Sequence, residues 1–212
     1  MAEDRIIEQG SEGWRALRAG KLTASEFQTI CDGTPVARES LMCVLAFERL
    51  SGQPRHEISA ASLKWGTAQE QEARREYEFQ SGNIALQAEF TPHPDYPFIG
   101  ASPDFIVPPK GGGEIKSPLN EGVHVRTWLD GMPKEHRWQV QGGMMCTGAA
   151  WWDFCSWHPN TSPNLRLYRQ RIKRDDSFIA EMLDSLLQFE AELRTLVKRL
   201  EAKGVAAAEF VA

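Results

Sequence analysis

One stretch constrains this chain more than any other: Gly100-Ala101-Ser102-Pro103-Asp104, followed through Phe105-Ile106-Val107 by Glu114-Ile115-Lys116-Ser117-Pro118. It sets three ionisable side chains among residues that otherwise suit a core strand. Between the two extended runs, Pro108-Pro109-Lys110-Gly111-Gly112-Gly113 reads as a turn, so the segment predicts a hairpin. A strand period of two sends Glu114 and Lys116 to one face and Ile115 to the other. The hairpin brings Asp104 close to the charged face. Glu114 and Lys116 could form a surface ion pair worth ~0–1 kcal/mol. Alternatively, two carboxylates and an ammonium converge where they can hold a divalent cation beside a reacting phosphate. The flanking Phe98, Ile99, Phe105, Ile106 and Ile115 are expected to bury at least one face, which weakens the surface-pair reading and leaves both open.

The 212 residues suffice for one sizeable core, and a single α/β domain spanning 1–212 is expected. No apolar run approaches the roughly 20 residues that cross a bilayer, and Met1-Ala2-Glu3-Asp4-Arg5 does not start like a signal peptide; no membrane association and a cytoplasmic location are expected. Cys31, Cys43, Cys146 and Cys155 are widely spaced, which predicts reduced thiols. The five histidines show no zinc-type spacing. A net charge of −5 argues against a protein that coats nucleic acid non-specifically. It leaves room for a basic channel, because carboxylates gathered at a metal enter the same sum.

Along the chain, residues 13–20 predict a short helix closed by Gly20. Thr23-Ala24-Ser25-Glu26 looks like a capping box that opens another helix through Ile30. That helix start, the Ser25 hydroxyl and Arg18 could cradle a phosphate, or could be plain capping beside a solvated arginine. Residues 39–50 and 60–80 read as helices. In the second, Leu63, Thr67, Glu70, Ala73 or Arg74, and Tyr77 form one stripe, so Glu70 is either paired with Arg74 or aimed into a site. Residues 83–91 alternate as a strand would, 119–132 read as loop, and a helix follows Pro133 with Gln141 on its apolar face. Residues 151–157 and 164–173 predict strands, the tryptophans serving the core. A long amphipathic helix from Asp175 is expected to stop at Gly204.

Taken together, Glu70, Asp104, Glu114-x-Lys116 and Gln141 follow the helix–strand–strand–helix order of the PD-(D/E)xK nucleases. The resemblance extends to Trp14-Arg15-Ala16-Leu17-Arg18-Ala19-Gly20, Thr23-Ala24-Ser25, Trp65-Gly66, Ala73-Arg74, Gly82, Ser102-Pro103-Asp104, Glu114-Ile115-Lys116-x-Pro118 and Gln139-Val140-Gln141. In that order, over residues 8–157, the chain resembles the lambda-exonuclease family of YqaJ-type viral recombinases. The resemblance implies a restriction-endonuclease-like α/β core, with a central mixed sheet flanked by helices and a long C-terminal helix. It also implies an Mg²⁺-dependent 5′→3′ exonuclease acting on double-stranded DNA ends, with two ions per site and Mn²⁺ able to substitute. The family pattern further implies a homotrimer working with a single-strand annealing protein in a phage or prophage. Asp104, Glu114, the Ile115 carbonyl and Glu70 would hold metal, Lys116 would act on the attacking water, and Gln141 would orient groups nearby. Arg18, Ser25 and Ser102 would grip the 5′-phosphate, and Leu63 would wedge the terminal base pairs. Leu119-Asn120-Glu121-Gly122 departs from the basic loop of the family pattern. A site-specific endonuclease of this fold and a non-catalytic DNA-end binder are the alternatives.

Overall fold

Ser11 opens the first helix by accepting the Trp14 backbone N–H on its side chain, giving α1 (Glu12–Arg18). The computed structural model describes residues 9–55 and 61–211, without the side chains at 62, 63 and 205–211. Gly20, at φ 69°, turns the chain into strand β1 (Leu22–Thr23), a short 3₁₀ turn and α2 (Phe27–Asp32). Thr34 caps α3 (Pro35–Ser51), whose first residue is proline, and Gly52 ends it. After α4 (Ala61–Ser81) come three short strands, β2 (Thr91–Pro92), β3 (Ile99–Ala101) and β4 (Phe105–Val107), then β5 (Gly111–Lys116). The chain continues through α5 (Glu121–Asp130), α6 (Arg137–Thr147), β6 (Trp151–Trp157), β7 (Leu167–Lys173) and α7 (Asp176–Val211).

The strands form two mixed sheets, ordered β1-β3-β2 and β4-β5-β6-β7. In the larger, β5 lies antiparallel to β4 and parallel to β6, with Glu114 opposite Phe154 and Lys116 opposite Ser156. Period-2 alternation gives this sheet two faces. Phe105, Val107, Ile115, Cys155, Trp157 and Leu167 pack on Ala73 and Tyr77 of α4. Trp152 and Phe154 pack on Val140 and Met144 of α6. The third cluster joins Leu22, Phe27, Ile30, Leu45 and Ile99 to the α7 stripe of Met182, Leu186, Phe189 and Leu193. Each of those large α7 side chains contributes about 1.5–3 kcal/mol through burial. This is the expected α/β arrangement of mixed sheet, flanking helices and long C-terminal helix.

Several boundaries differ from the sequence expectation. Gly111, Gly112 and Gly113 belong to β5 rather than to the turn. A Cβ at these positions would collide with the rings of Trp151, Trp152 and Phe105, so close packing is what calls for glycine there. Of residues 83–91, Leu86 makes an isolated bridge to Ile106 and Thr91 opens β2 opposite Ala101, while Ile84 and Leu86 are exposed. Residues 121–130 are helical, not loop. Helix α7 runs through Gly204 to Val211. The four cysteines are unbridged, with Cys146 and Cys155 buried and Cys43 exposed. No helix among the described residues is long and apolar enough to cross a membrane.

Candidate active site

Ser102, Pro103 and Asp104 occupy the step between β3 and β4, where the chain passes from the small sheet to the large one. Asp104 thereby reaches β5, and its Oδ2 accepts the Ile115 backbone N–H at 2.6 Å. A carboxylate rather than a neighbouring strand answers that N–H, because β4 begins only at Phe105. The Ile115 carbonyl leaves the strand on the same edge as its N–H, the edge that carries Asp104.

On the α6 face of β5, Glu114 is buried and Lys116 partly so. Lys116 Nζ donates to Glu114 Oε1 at 2.7 Å and to Gln139 Oε1 at 3.0 Å; Gln139 Nε2 closes the triangle by donating to the same Glu114 oxygen at 2.6 Å. Burial alone would push the Lys116 ammonium down, but Glu114 and Asp104 outweigh it and hold its pKa above the usual lysine value. Burial, and then the adjacent Glu114, raise Asp104 well above the carboxylate range. Burial also raises Glu70; Arg74, one turn along α4, opposes that rise and Glu114 adds to it. His136 stacks on Phe154 and is pushed down to about 4 by burial and by Lys116.

The second half of the site is the cradle. Arg18 donates from Nη1 to Ser102 Oγ at 2.9 Å, and from Nη2 to Thr23 Oγ1 at 3.2 Å and Ser25 Oγ at 3.3 Å. Its guanidinium carbon lies 4.1 Å from the Trp14 ring centroid. Both halves open into one cleft of about 340 Å³, lined by Arg18, Ser25, Ser102, Glu70, Asp104, Glu114, Ile115, Lys116 and Gln139 among others.

The structure therefore brings together Arg18, Ser25, Ser102, Glu70, Asp104, Glu114, Ile115 and Lys116. Glu70 borders the cleft without joining the other two carboxylates: among the described residues no three His, Cys, Asp or Glu side chains gather closely enough to hold a metal ion by themselves. The Leu63 side chain lies outside the described residues. Gln141 is a correction. It is buried, as its stripe predicted, but its amide donates to the Lys173 carbonyl and accepts the Asp175 N–H, which fixes the turn into α7. Gln139, two residues earlier and about 200° round the helix, is the glutamine in the cleft. Hydrophobic periodicity singles out polar residues on apolar stripes, and Gln139 is not on one. The nearest available signal was its place in the Gln139-Val140-Gln141 motif. Trp14 and Thr23, which hold Arg18, were also missed as site residues; Thr23 showed only its capping pattern.

A model of the YqaJ-like viral recombinase domain matches residues 13–150. The structure of LHK-Exo in complex with dAMP is 36% identical, with a TM-score of 0.87, and covers 93% of this chain and 100% of that one. A second structure of LHK-Exo, described as an alkaline exonuclease from Laribacter hongkongensis, is 34% identical with the same TM-score and coverage. A phage-related exonuclease from Haemophilus somnus 129PT shares the fold at 17% identity and a TM-score of 0.66, over 85% of this chain and 96% of its own. No curated protein matches. With the site geometry, these likenesses support a nuclease of the alkaline exonuclease type: the chain belongs to the YqaJ-like viral recombinase family.

Proposed function

We propose that this chain is an Mg²⁺-dependent 5′→3′ exonuclease that degrades one strand of linear double-stranded DNA and leaves 3′ single-stranded overhangs for recombination by strand annealing. The observation that carries this reading is the shared cleft: the arginine–serine cradle opens beside Asp104, Glu114 and Lys116, and Ser102 of the cradle is two residues from Asp104. A terminal 5′-phosphate held by Arg18 would leave the next phosphodiester near the carboxylates. The dAMP bound to the similar LHK-Exo is a nucleoside monophosphate, the kind of product that stepwise removal of single nucleotides would release. Family membership supports the finer parts of the reading: a homotrimer acting on DNA ends with a single-strand annealing protein, in a phage or prophage.

The donor set suits Mg²⁺, with Mn²⁺ able to substitute. Asp104 and Glu114 each use one oxygen in short hydrogen bonds, to the Ile115 N–H and to Lys116 and Gln139 respectively; Gln9 Nε2 approaches Asp104 Oδ1 at 3.5 Å. Two carboxylates and a carbonyl with no sulfur or imidazole donor are what a hard cation takes, the rest of its sphere being water and phosphate oxygen. Two ions are proposed, and Glu70, which lines the same cleft, would add its carboxylate to the acidic set that holds them. Bound there, a divalent cation supplies charge neutralisation and an activated water for in-line attack on the phosphodiester. Lys116, kept an ammonium by its neighbours, donates hydrogen bonds toward the reacting phosphate, and Gln139 holds Lys116 and Glu114 in register.

The two glutamines separate catalysis from stability. Gln139→Leu is expected to lower cleavage about 10- to 100-fold by loosening the triangle, with little change in melting temperature. Gln141→Leu is expected to lower stability by about 1–3 kcal/mol, because it leaves a buried carbonyl and N–H unpaired, while the folded protein still cuts. Thermal melts beside nuclease assays distinguish the two outcomes. The cradle is tested by Arg18→Ala on duplexes ending in 5′-phosphate or 5′-hydroxyl. Losing a charge-assisted contact should raise KM about 10- to 100-fold for phosphorylated ends and far less for hydroxyl ends. Equal losses on both ends would remove Arg18 from phosphate recognition.

A further inference from the structure

Thr23 and Glu26 form a capping pair at the 3₁₀ turn after β1, yet their hydrogen bonds do more than close that turn. Glu26 Oε2 accepts both the Thr23 backbone N–H at 3.2 Å and the Thr23 hydroxyl at 2.9 Å. A carboxylate only accepts, so the single Thr23 hydroxyl proton is committed to Glu26. The oxygen lone pairs of Thr23 then face the other way, toward Arg18 Nη2 at 3.2 Å and Ser25 Oγ at 3.2 Å. Two of the groups in the cradle therefore take their orientation from one threonine, and that threonine takes its own from Glu26. The other Glu26 oxygen is held separately by Arg55 Nη2 at 2.8 Å, and Arg55 is anchored to the buried Glu48 through its Nε and its backbone N–H. Glu48 in turn accepts the Gly20 N–H at 2.9 Å, so the network returns to the turn just after Arg18.

We infer that Thr23 and Glu26 are positioning residues for end recognition: Glu26 fixes the polarity of the Thr23 hydroxyl so that Thr23 presents an acceptor to Arg18 and holds its fork toward a terminal phosphate monoester. The inference rests on the proposed 5′-phosphate cradle and adds residues that need not touch the substrate. In the absence of this device Arg18 keeps its charge and its contact with Ser102 but loses one of its aligned acceptors. The effect should appear in binding of phosphorylated ends rather than in turnover.

The test is steady-state cleavage by the full chain of linear duplexes bearing 5′-phosphate or 5′-hydroxyl ends, with Arg18→Ala as reference. Thr23→Val keeps the shape of the side chain and leaves the Arg55 bridge to Glu26 in place. It should raise KM for phosphorylated ends about three- to tenfold with little change in kcat, shift hydroxyl ends much less, and be reversed by Thr23→Ser, which restores the hydroxyl. Glu26→Gln, which can offer an N–H where the carboxylate accepted, should shift KM in the same direction, and it decides the matter if Thr23→Val does not fold. If Arg18→Ala itself fails to distinguish the two ends, the cradle reading falls. If Arg18→Ala distinguishes them while Thr23→Val and Glu26→Gln affect both ends alike, or neither, the cradle stands and the positioning role is overturned. A shift with Thr23→Val but none with a folded Glu26→Gln overturns the part assigned to Glu26.

Discussion

Lys116→Ala is expected to cut linear duplex DNA at least about a hundredfold, and up to about ten-thousandfold, more slowly than the unaltered chain. The side chain is a third exposed, so its loss leaves no sealed cavity and the fold should survive. What is lost is the ammonium that both Glu114 and Gln139 orient. The Glu114 carboxylate then keeps the Gln139 amide as a donor but has lost the ammonium, so added divalent cation should not restore the rate. Single-turnover cleavage with saturating Mg²⁺, beside a thermal melt, measures both effects. Cleavage within about twofold of the unaltered chain would remove Lys116 from the chemistry.

The largest loss of stability is expected from Asp153→Ala. Asp153 is fully buried on the α4 face of β6, with Arg171 gripping it in a fork at 2.9 and 2.8 Å, the Tyr77 hydroxyl at 2.9 Å and Arg169 at 3.4 Å. Burial and Asp153 together push the Tyr77 hydroxyl up to about 12, so it stays a donor. Taking away the carboxylate strands two guanidinium groups and that hydroxyl at the edge of the core. Breaking such a buried pair costs about 3–5 kcal/mol. For a chain of this length that lowers the melting temperature by roughly 6–20 °C. Asp153 pairs with Gly113, near the start of β5, rather than with the charged end of that strand. Activity should therefore follow the folded fraction, and a stable protein without activity would contradict this structural role.

The hairpin that carries Asp104, Glu114 and Lys116 was legible because its logic is local. A period of two, an interruption by Pro and Gly, and charges among apolar residues place Asp104, Glu114 and Lys116 without knowledge of the rest of the fold. The α7 stripe was legible for the same reason, since Met182, Leu186, Phe189 and Leu193 recur at helical spacing. Features set by distant partners were not. Helix α5 hides His124 and Thr127 and exposes Val125 and Leu129, so its periodicity is inverted and reads as loop; His124 bonds Ser156 and the Leu165 carbonyl, both far along the chain. The three glycines of β5 look like a turn until the rings of Trp151, Trp152 and Phe105 are laid over them. At residues 83–91 the alternation is real, but among these residues pairing is limited to Leu86 with Ile106 and Thr91 with Ala101. The Gln139 and Gln141 exchange has the same origin. An apolar stripe shows that a polar residue is buried, and only the fold shows that Lys173 and Asp175 satisfy Gln141 while Gln139 faces the cleft.

The central claim is that this site cuts from a DNA end. Its most direct measurement offers the protein, with Mg²⁺, a linear duplex bearing 5′-phosphates and a covalently closed circle of the same sequence, and follows which strand shortens. The account predicts loss of the 5′-ended strand from the linear duplex, release of mononucleotides, a persisting 3′ strand and an intact circle. Cutting of the circle, shortening from the 3′ end, or survival of the linear duplex would contradict it.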